Sequence, residues 1–265
     1  MMTAPFVDIH CHLLPGIDDG AKDWDQSLAM ARLAVDDGTS TIVATPHQLG
    51  AYSQNHGDAI RQLTAELQEK LQDTEIPLTV LPGAEIRVEA GFVEKLVDGD
   101  LLTLGDHRRH VLLELPHEIY LPLEPVLDEL ARRRLVGVLA HPERNRGLQR
   151  QPNLLEPLVE AGCLMQVTAG SLCGMLGPDA QELSEWMVDR GLVHLLATDA
   201  HGPRSRRPLL GRAYERLCEI TDEPTAADLC IHYPAEVAAG RAVPAGRRAQ
   251  RPRQRTGWWA RRASA

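Results

Sequence analysis

Short apolar runs alternate with longer amphipathic stretches along most of the chain. The runs at 6–10 (FVDIH), 40–45 (STIVAT), 78–83 (LTVLPG), 110–115 (HVLLEL), 136–141 (VGVLAH), 164–168 (LMQVT) and 193–198 (VHLLAT) predict strands. Between them, apolar positions recur at helical spacing over 27–37, 58–71, 122–134, 152–161 and 179–190. Gly38, Gly162 and Gly191 stand where three of these helices should end, because Gly takes the left-handed turn of a helix C-terminus without steric cost. Strand alternating with helix implies parallel strands joined by helical crossovers. Seven such units without a dinucleotide fingerprint predict an α/β protein with a distorted (β/α)7 TIM-like barrel rather than an open sheet.

Composition adds little to that picture, but charge adds something. Of 265 residues, 43% are hydrophobic and 25% charged, enough to bury a full core. The net charge is -9, yet the segment from Arg241 onward holds eight Arg and no acid, which leaves the body at about -17. An acidic body argues against a nucleic-acid groove, which needs positive charge to displace counterions. It suits a protein that gathers cations. Residues 1–243 read as one domain. Residues 244–265 are Arg-rich without aliphatic periodicity and are expected to be a disordered basic tail. Arg beside Trp258 and Trp259 would suit contact with an acidic membrane surface or partner. Five Cys at irregular spacing, with no CxxC, and the absence of a signal peptide or apolar span point to reduced thiols in a cytoplasmic protein.

The chemistry is positional. Nearly every predicted strand ends in a residue able to bind metal: His10 and His12, His47, Glu85, Glu114, His141, then Asp199 and His201. Barrel enzymes build their sites at the C-terminal ends of strands, where side chains from separate strands converge. Alternation along an extended chain places Asp8, His10 and His12 on one face, so the two imidazoles can share an ion. Histidine and carboxylate without Cys suit Zn, Mn or Fe, and a carboxylate such as Glu85 or Glu114 can bridge two ions. Each residue has a plain structural alternative, and Asp18 and Asp19 in PGIDDG are equally turn residues. The remaining His, at 56, 107, 110, 117, 194 and 232, read as structural.

Two Arg-bearing segments tilt the substrate towards phosphate. Arg144 follows His141 by three residues, and Arg204, Arg206 and Arg207 follow His201. Guanidinium forks match phosphoryl oxygens. There is no Walker A loop, no GxSxG elbow and no Cys-x5-Arg loop, so phosphoester hydrolysis here must use metal-activated water rather than a thiolate.

In order along the chain, DIHCHLLPGIDDG, ATPH, PGAEIR, LLELP, AHPER, QVTAGSLCGMLG and ATDAH resemble the PHP superfamily. More narrowly, they are similar to the bacterial manganese-dependent protein-tyrosine phosphatases of capsule and exopolysaccharide operons, with PGIDDG and HPER as the discriminating pieces. The resemblance runs from about Val7 to Gly240 and weakens beyond Leu229, where Tyr233-Pro234 stands in place of Asn-Pro. It implies three divalent ions, Mn first, with Zn, Fe or Co as substitutes. His10, His12, Glu85 and Asp199 would hold one ion; Glu85, Glu114 and His141 a second; Asp19, His47 and His201 the third. Arg144 and Arg206 would grip phosphate, with Arg207 the neighbouring alternative, and His201 and Asp199 would assist catalysis. It also implies a phosphotyrosine protein as substrate, namely a membrane-bound bacterial tyrosine autokinase. A histidinol-phosphatase and a non-catalytic metal-binding assembly partner are the alternatives.

Overall fold

The computed structural model describes residues 5–248. Nine strands are present: β1 (Phe6–Cys11), β2 (Thr39–Ala44), β3 (His47–Gln48), β4 (Thr79–Pro82), β5 (Glu85–Arg87), β6 (His110–Glu114), β7 (Val136–Ala140), β8 (Leu164–Thr168) and β9 (Leu195–Ala197). They pair in parallel as two sheets, β1-β2-β4 and β3-β5-β6-β7-β8-β9. The sheets are not independent. β2 runs into β3 across Thr45-Pro46, and β4 runs into β5 across Gly83-Ala84. Each pair is one strand position bent in the middle, because Pro46 lacks an N–H for the ladder and a Cβ at Gly83 would lie 2.7 Å from Val43 Cγ1. The Glu85 N–H donates to Pro46 O across the bend at 3.1 Å. Nine strands thus occupy seven barrel positions, as the alternation in the sequence predicts.

The seam between β9 and β1 closes the ring at its upper end. Asp199 N–H donates to His10 O at 2.8 Å, and His12 N–H to Ala200 O at 2.9 Å. Lower down the strands diverge, and the buried carboxylate of Asp8 fills the gap. It accepts from Thr198 N–H at 3.0 Å and from the Thr198 hydroxyl at 2.5 Å. Burial pushes the Asp8 carboxyl up to about 6, against the pull of those hydrogen bonds.

Strands buried on both faces need apolar residues on both sides. Val7, Ile9, Val43, Leu112, Val138, Ala140, Leu164, Leu195 and Ala197 fill the barrel, and Val237 and Ala238 of the last helix (Tyr233–Ala238) plug its lower end. Two outer layers, around Leu139 and Met165 on one side and Ile42 and Ile86 on the other, receive the surrounding helices. Among these, Trp24–Asp36 is capped by Asp23, whose carboxylate accepts from Gln26 N–H at 2.9 Å. Gly38, Gly162 and Gly191 sit at φ 97°, 89° and 68°, past the ends of their helices. The helices Gly211–Ile220 and Glu223–Ala227 lie outside the expected set.

Of the segment expected to form the tail, residues 249–265, with Trp258 and Trp259, lie outside the described residues. Its first residues are tied to the body: Gly246 O accepts from His194 Nε2 at 2.9 Å, and Arg248 pairs with Asp228 at 2.9 Å. No helix among the described residues is long and apolar enough to cross a membrane, and all five Cys are free.

Candidate metal centre

His10 and His12 reach the centre of the barrel because β1 is irregular. Asp8 pairs with Ile42 but Cys11 with Ala44, so β1 spends three residue steps where β2 spends two. Such a bulge re-aims side chains. Below it Val7 and Ile9 face the interior; above it His10 and His12 do, fully buried. This corrects the expectation that Asp8 shares their face, since Asp8 turns to Thr198 instead.

Four atoms then meet. His10 Nε2 and His12 Nε2 are 3.3 Å apart. His10 Nε2 lies 3.3 Å from Glu85 Oε2 and 3.4 Å from Asp199 Oδ1, and His12 Nε2 lies 3.4 Å from each of the same oxygens. With all four atoms within 4.8 Å of one another, these five distances are the spacings of donors around one divalent ion, whose bonds to imidazole or carboxylate are about 2.0–2.2 Å. Glu85 Oε2 is buried without a hydrogen-bond donor. The far ring nitrogens are committed elsewhere: His10 Nδ1 lies 2.8 Å from Gln166 Oε1, and His12 Nδ1 2.7 Å from Asp18 Oδ2. Acceptors at Nδ1 put the proton there and turn the Nε2 lone pairs inward. The donor set fits a cation.

Two further groups adjoin it, one formed by His12, Asp19, His47 and His201, the other by His47, Glu85 and Glu114. Glu85 belongs to two groups, as a bridging carboxylate does. This grouping differs from the expected one in two respects. His12 joins the group of Asp19, His47 and His201, and His47 stands where His141 was expected, beside Glu85 and Glu114. His141 is close by, with Nε2 2.7 Å from the other oxygen of Glu85. It follows β7 at φ 32°, and Asp199 and Arg206 also have positive φ, at 49° and 47°. Left-handed backbone at non-Gly residues is strained and clusters where function requires a particular side-chain direction.

Asp199 divides its two oxygens. Oδ1 faces the imidazoles, while Oδ2 accepts from both Arg144 and Arg206. Arg206, not Arg207, lines the pocket, and Arg206 Nε is buried without a partner. Arg207 is exposed. Seven of the expected ligands, with Leu115, His117, Pro142, Asn145 and the two arginines, line a cavity of about 340 Å³.

Charge is concentrated here. Burial disfavours ionised Glu85 and Asp199, yet His10 and the neighbouring imidazoles outweigh it and hold both well below the usual carboxylate range. Burial likewise disfavours a charged His12, but Asp18, Asp199 and Glu85 raise it well above the usual imidazole range. The carboxylates demand positive charge, which a divalent ion supplies. Asp19, half exposed at the mouth, is held low by its hydrogen bond to His201.

A family model for capsular polysaccharide synthesis proteins, CpsB/CapC, matches residues 6–239. The chain belongs to the CpsB/CapC family. Its family relatives include the tyrosine-protein phosphatase YwqE of Bacillus subtilis, 41% identical over 202 residues, covering 76% of this chain and 79% of YwqE. The tyrosine-protein phosphatase CpsB of Streptococcus pneumoniae is 25% identical over 236 residues, 87% of this chain and 97% of CpsB. A crystal structure from the pair YwqE of Bacillus subtilis and CpsB of Streptococcus pneumoniae, described as unique metal-dependent tyrosine phosphatases, matches with a TM-score of 0.87 at 34% identity. It covers 93% of this chain and 100% of that one. A lactonase from Listeria monocytogenes, at 13% identity and TM-score 0.51 over 91% of this chain and 96% of its own, shares the fold alone.

Asp18 and Gln166 were not expected among the functional residues of this CpsB/CapC chain. Asp18 accepts from His12, from His47 N–H and from Gly20 N–H. A polar Gln166 inside the apolar run LMQVT was the available signal for the second.

Proposed function

We propose that this chain is a metal-dependent protein-tyrosine phosphatase that binds three divalent ions, Mn first, in the three adjoining groups of His and carboxylate. The observation that carries the reading is the set His10, His12, Glu85 and Asp199, of which Glu85 and Asp199 line a pocket that also presents Arg144 and Arg206. The names of its relatives supply the phosphotyrosine substrate, and nitrogen and oxygen donors without thiolate suit Mn, with Zn, Fe or Co as substitutes. Within that family setting the substrate is a bacterial tyrosine autokinase that acts in capsule or exopolysaccharide synthesis.

Bound divalent ions supply Lewis acidity at the phosphoryl group and a nucleophile from water at neutral pH. The chain's own residues do the rest. Arg144 and Arg206 exchange part of their contact with Asp199 for the phosphoryl oxygens and neutralise charge that builds there. Leu115 and Pro142 give the phenyl ring an apolar wall. His201 Nδ1 donates to Asp199 O at 3.0 Å, which leaves the Nε2 lone pair, 3.3 Å from Asp19 Oδ1, free to hold a cation beside that carboxylate. A phenolate, with pKa about 10, leaves with little help from an acid.

The test is His141→Ala beside chelated wild type. Both should lose turnover of phosphotyrosine peptide, Mn should restore only the wild type, and circular dichroism should stay unchanged. Wild-type turnover in His141→Ala, or after chelation, would remove the proposed site.

A further inference from the structure

A second cavity, of about 430 Å³, adjoins the catalytic pocket and is built from the same two segments of chain. In the loop after β6, Leu115 and His117 line the catalytic pocket while Glu118, Ile119 and Tyr120 line the second cavity. In the segment after β7, Pro142, Arg144 and Asn145 line the first, and Gly147, Arg150 and Leu154 the second. The two cavities are therefore consecutive along both walls. Between the two sets of lining residues along the chain, Arg146 pairs with Glu118 at 3.0 Å and its N–H donates to His117 O at 2.9 Å.

The walls are held together. Asn145 Nδ2 donates to Pro116 O at 2.7 Å and to Ile119 O at 2.8 Å, while its Oδ1 accepts from Leu148 N–H at 2.9 Å. A Cβ at Gly147 would lie 2.4 Å from Tyr120 N, so only Gly lets the two backbones approach this closely. The second cavity is pre-formed rather than opened by a ligand. On its rim Ile119 is 52% exposed, one of three large hydrophobic side chains left to solvent among the described residues. Arg150 is exposed and makes no ion pair among the described residues. With Glu118 committed to Arg146, the unbalanced charge of the cavity is the positive charge of Arg150.

Resting on the phosphatase reading, we infer that this second cavity is the subsite for the peptide flanking the phosphotyrosine, and that it selects an apolar residue followed by an acidic one. Past Arg144 and the extended Asn145, the helix Arg146–Arg150 carries the wall a further distance of roughly 7 Å at about 1.5 Å per residue. Two to three extended peptide residues, at about 3.3 Å each, span the same distance. A phosphotyrosine in the catalytic pocket thus brings its second or third neighbour to Arg150, with the intervening side chain over Ile119 and Leu154. Continuity with the catalytic pocket and a free cation at the far end together define the occupant: an extended acidic phosphopeptide.

The experiment uses the Mn-loaded full chain, two phosphotyrosine peptides and p-nitrophenyl phosphate. One peptide has neutral flanks; the other carries Leu and Glu at the second and third positions on both sides. The acidic peptide should be cleaved with kcat/KM about tenfold higher, mainly through KM. Arg150→Glu should erase that preference and Ile119→Ser should reduce it, while p-nitrophenyl phosphate turnover stays within about twofold of wild type for both. Equal kcat/KM for the two peptides on the wild type would overturn the subsite, as would an Arg150→Glu that loses p-nitrophenyl phosphate turnover to the same degree. Fluorescence anisotropy with non-hydrolysable phosphonate versions of both peptides separates the two claims. Acid-selective binding lost in Arg150→Glu, with no turnover of any substrate, would leave the subsite and sink the phosphatase. Turnover with unselective binding would do the reverse.

Discussion

The carboxylate of Asp18 lies 2.7 Å from Nδ1 of His12, and both side chains are buried. The pair fixes the imidazole in the tautomer that presents Nε2 to Glu85 and Asp199, and it raises the basicity of that nitrogen. Asp18→Asn preserves the shape and removes the charge. Metal affinity should fall by about 10–100-fold while the fold is unchanged, as substitutions behind metal-binding imidazoles do. Competition of the chelated protein with a Mn-sensitive dye measures it, and an unaltered affinity would show that Asp18 only shapes the PGIDDG turn.

Arg206 and Arg207 are neighbours with opposite expected behaviour. Arg206 contacts Asp199 inside the pocket, whereas Arg207 faces solvent. Arg206→Ala should lower kcat/KM for phosphotyrosine peptide by about 100-fold, the usual cost of one charge-stabilising donor, and Arg207→Ala by less than about twofold. Equal losses in the two variants would mean that the turn from His201 to Arg206 is held differently when substrate is present.

Chelation should destabilise the protein. The buried carboxylates and imidazoles of the three groups lose the positive charge that balances them. At a free ion concentration a thousandfold above the dissociation constant, binding stabilises the native state by about 4 kcal/mol. For a chain of this length that corresponds to roughly 8–16 °C in Tm. Differential scanning fluorimetry with Mn and with chelator reads the shift directly; a Tm that does not move would mean that no ion is bound to the native state.

His194 gives a pH signature away from the metal centre. Burial pushes its pKa down to about 4, against the hydrogen bond from its Nε2 to Gly246 O, while its Nδ1 accepts from Met165 N–H. The unfolded chain, with an imidazole near 6.5, takes up the proton first as pH falls. The stability tied to neutral His194 is therefore full above about pH 6.5 and is lost progressively down to about 4. In urea unfolding over that window, His194→Gln should show a pH slope shallower than wild type by about one proton. Identical slopes would place His194 in solvent.

Much of the barrel was legible because its rules are local. Apolar runs bounded by helical spacing mark β1, β6, β7, β8 and β9, and the metal-binding residues fall at strand ends, where a barrel must gather them. What escaped depends on the third dimension. DIHCH alternates perfectly on paper, so nothing in it announces the bulge that turns Asp8 away from His10. The bends at Pro46 and Gly83 hid β3 and β5, each too short for any periodicity to show. The left-handed backbone of His141 stands just before the Pro142–Arg144 turn, and no periodicity marks it. Asp18 carries the same letter in a DDG turn whether or not an imidazole lies behind it.

The most direct test of the central claim is phosphate release by the Mn-loaded protein from phosphotyrosine, phosphoserine and phosphohistidinol substrates, side by side. Release chiefly from phosphotyrosine, lost on chelation and regained with Mn, is the predicted result. Release chiefly from phosphohistidinol, or equal release before and after chelation, would contradict it.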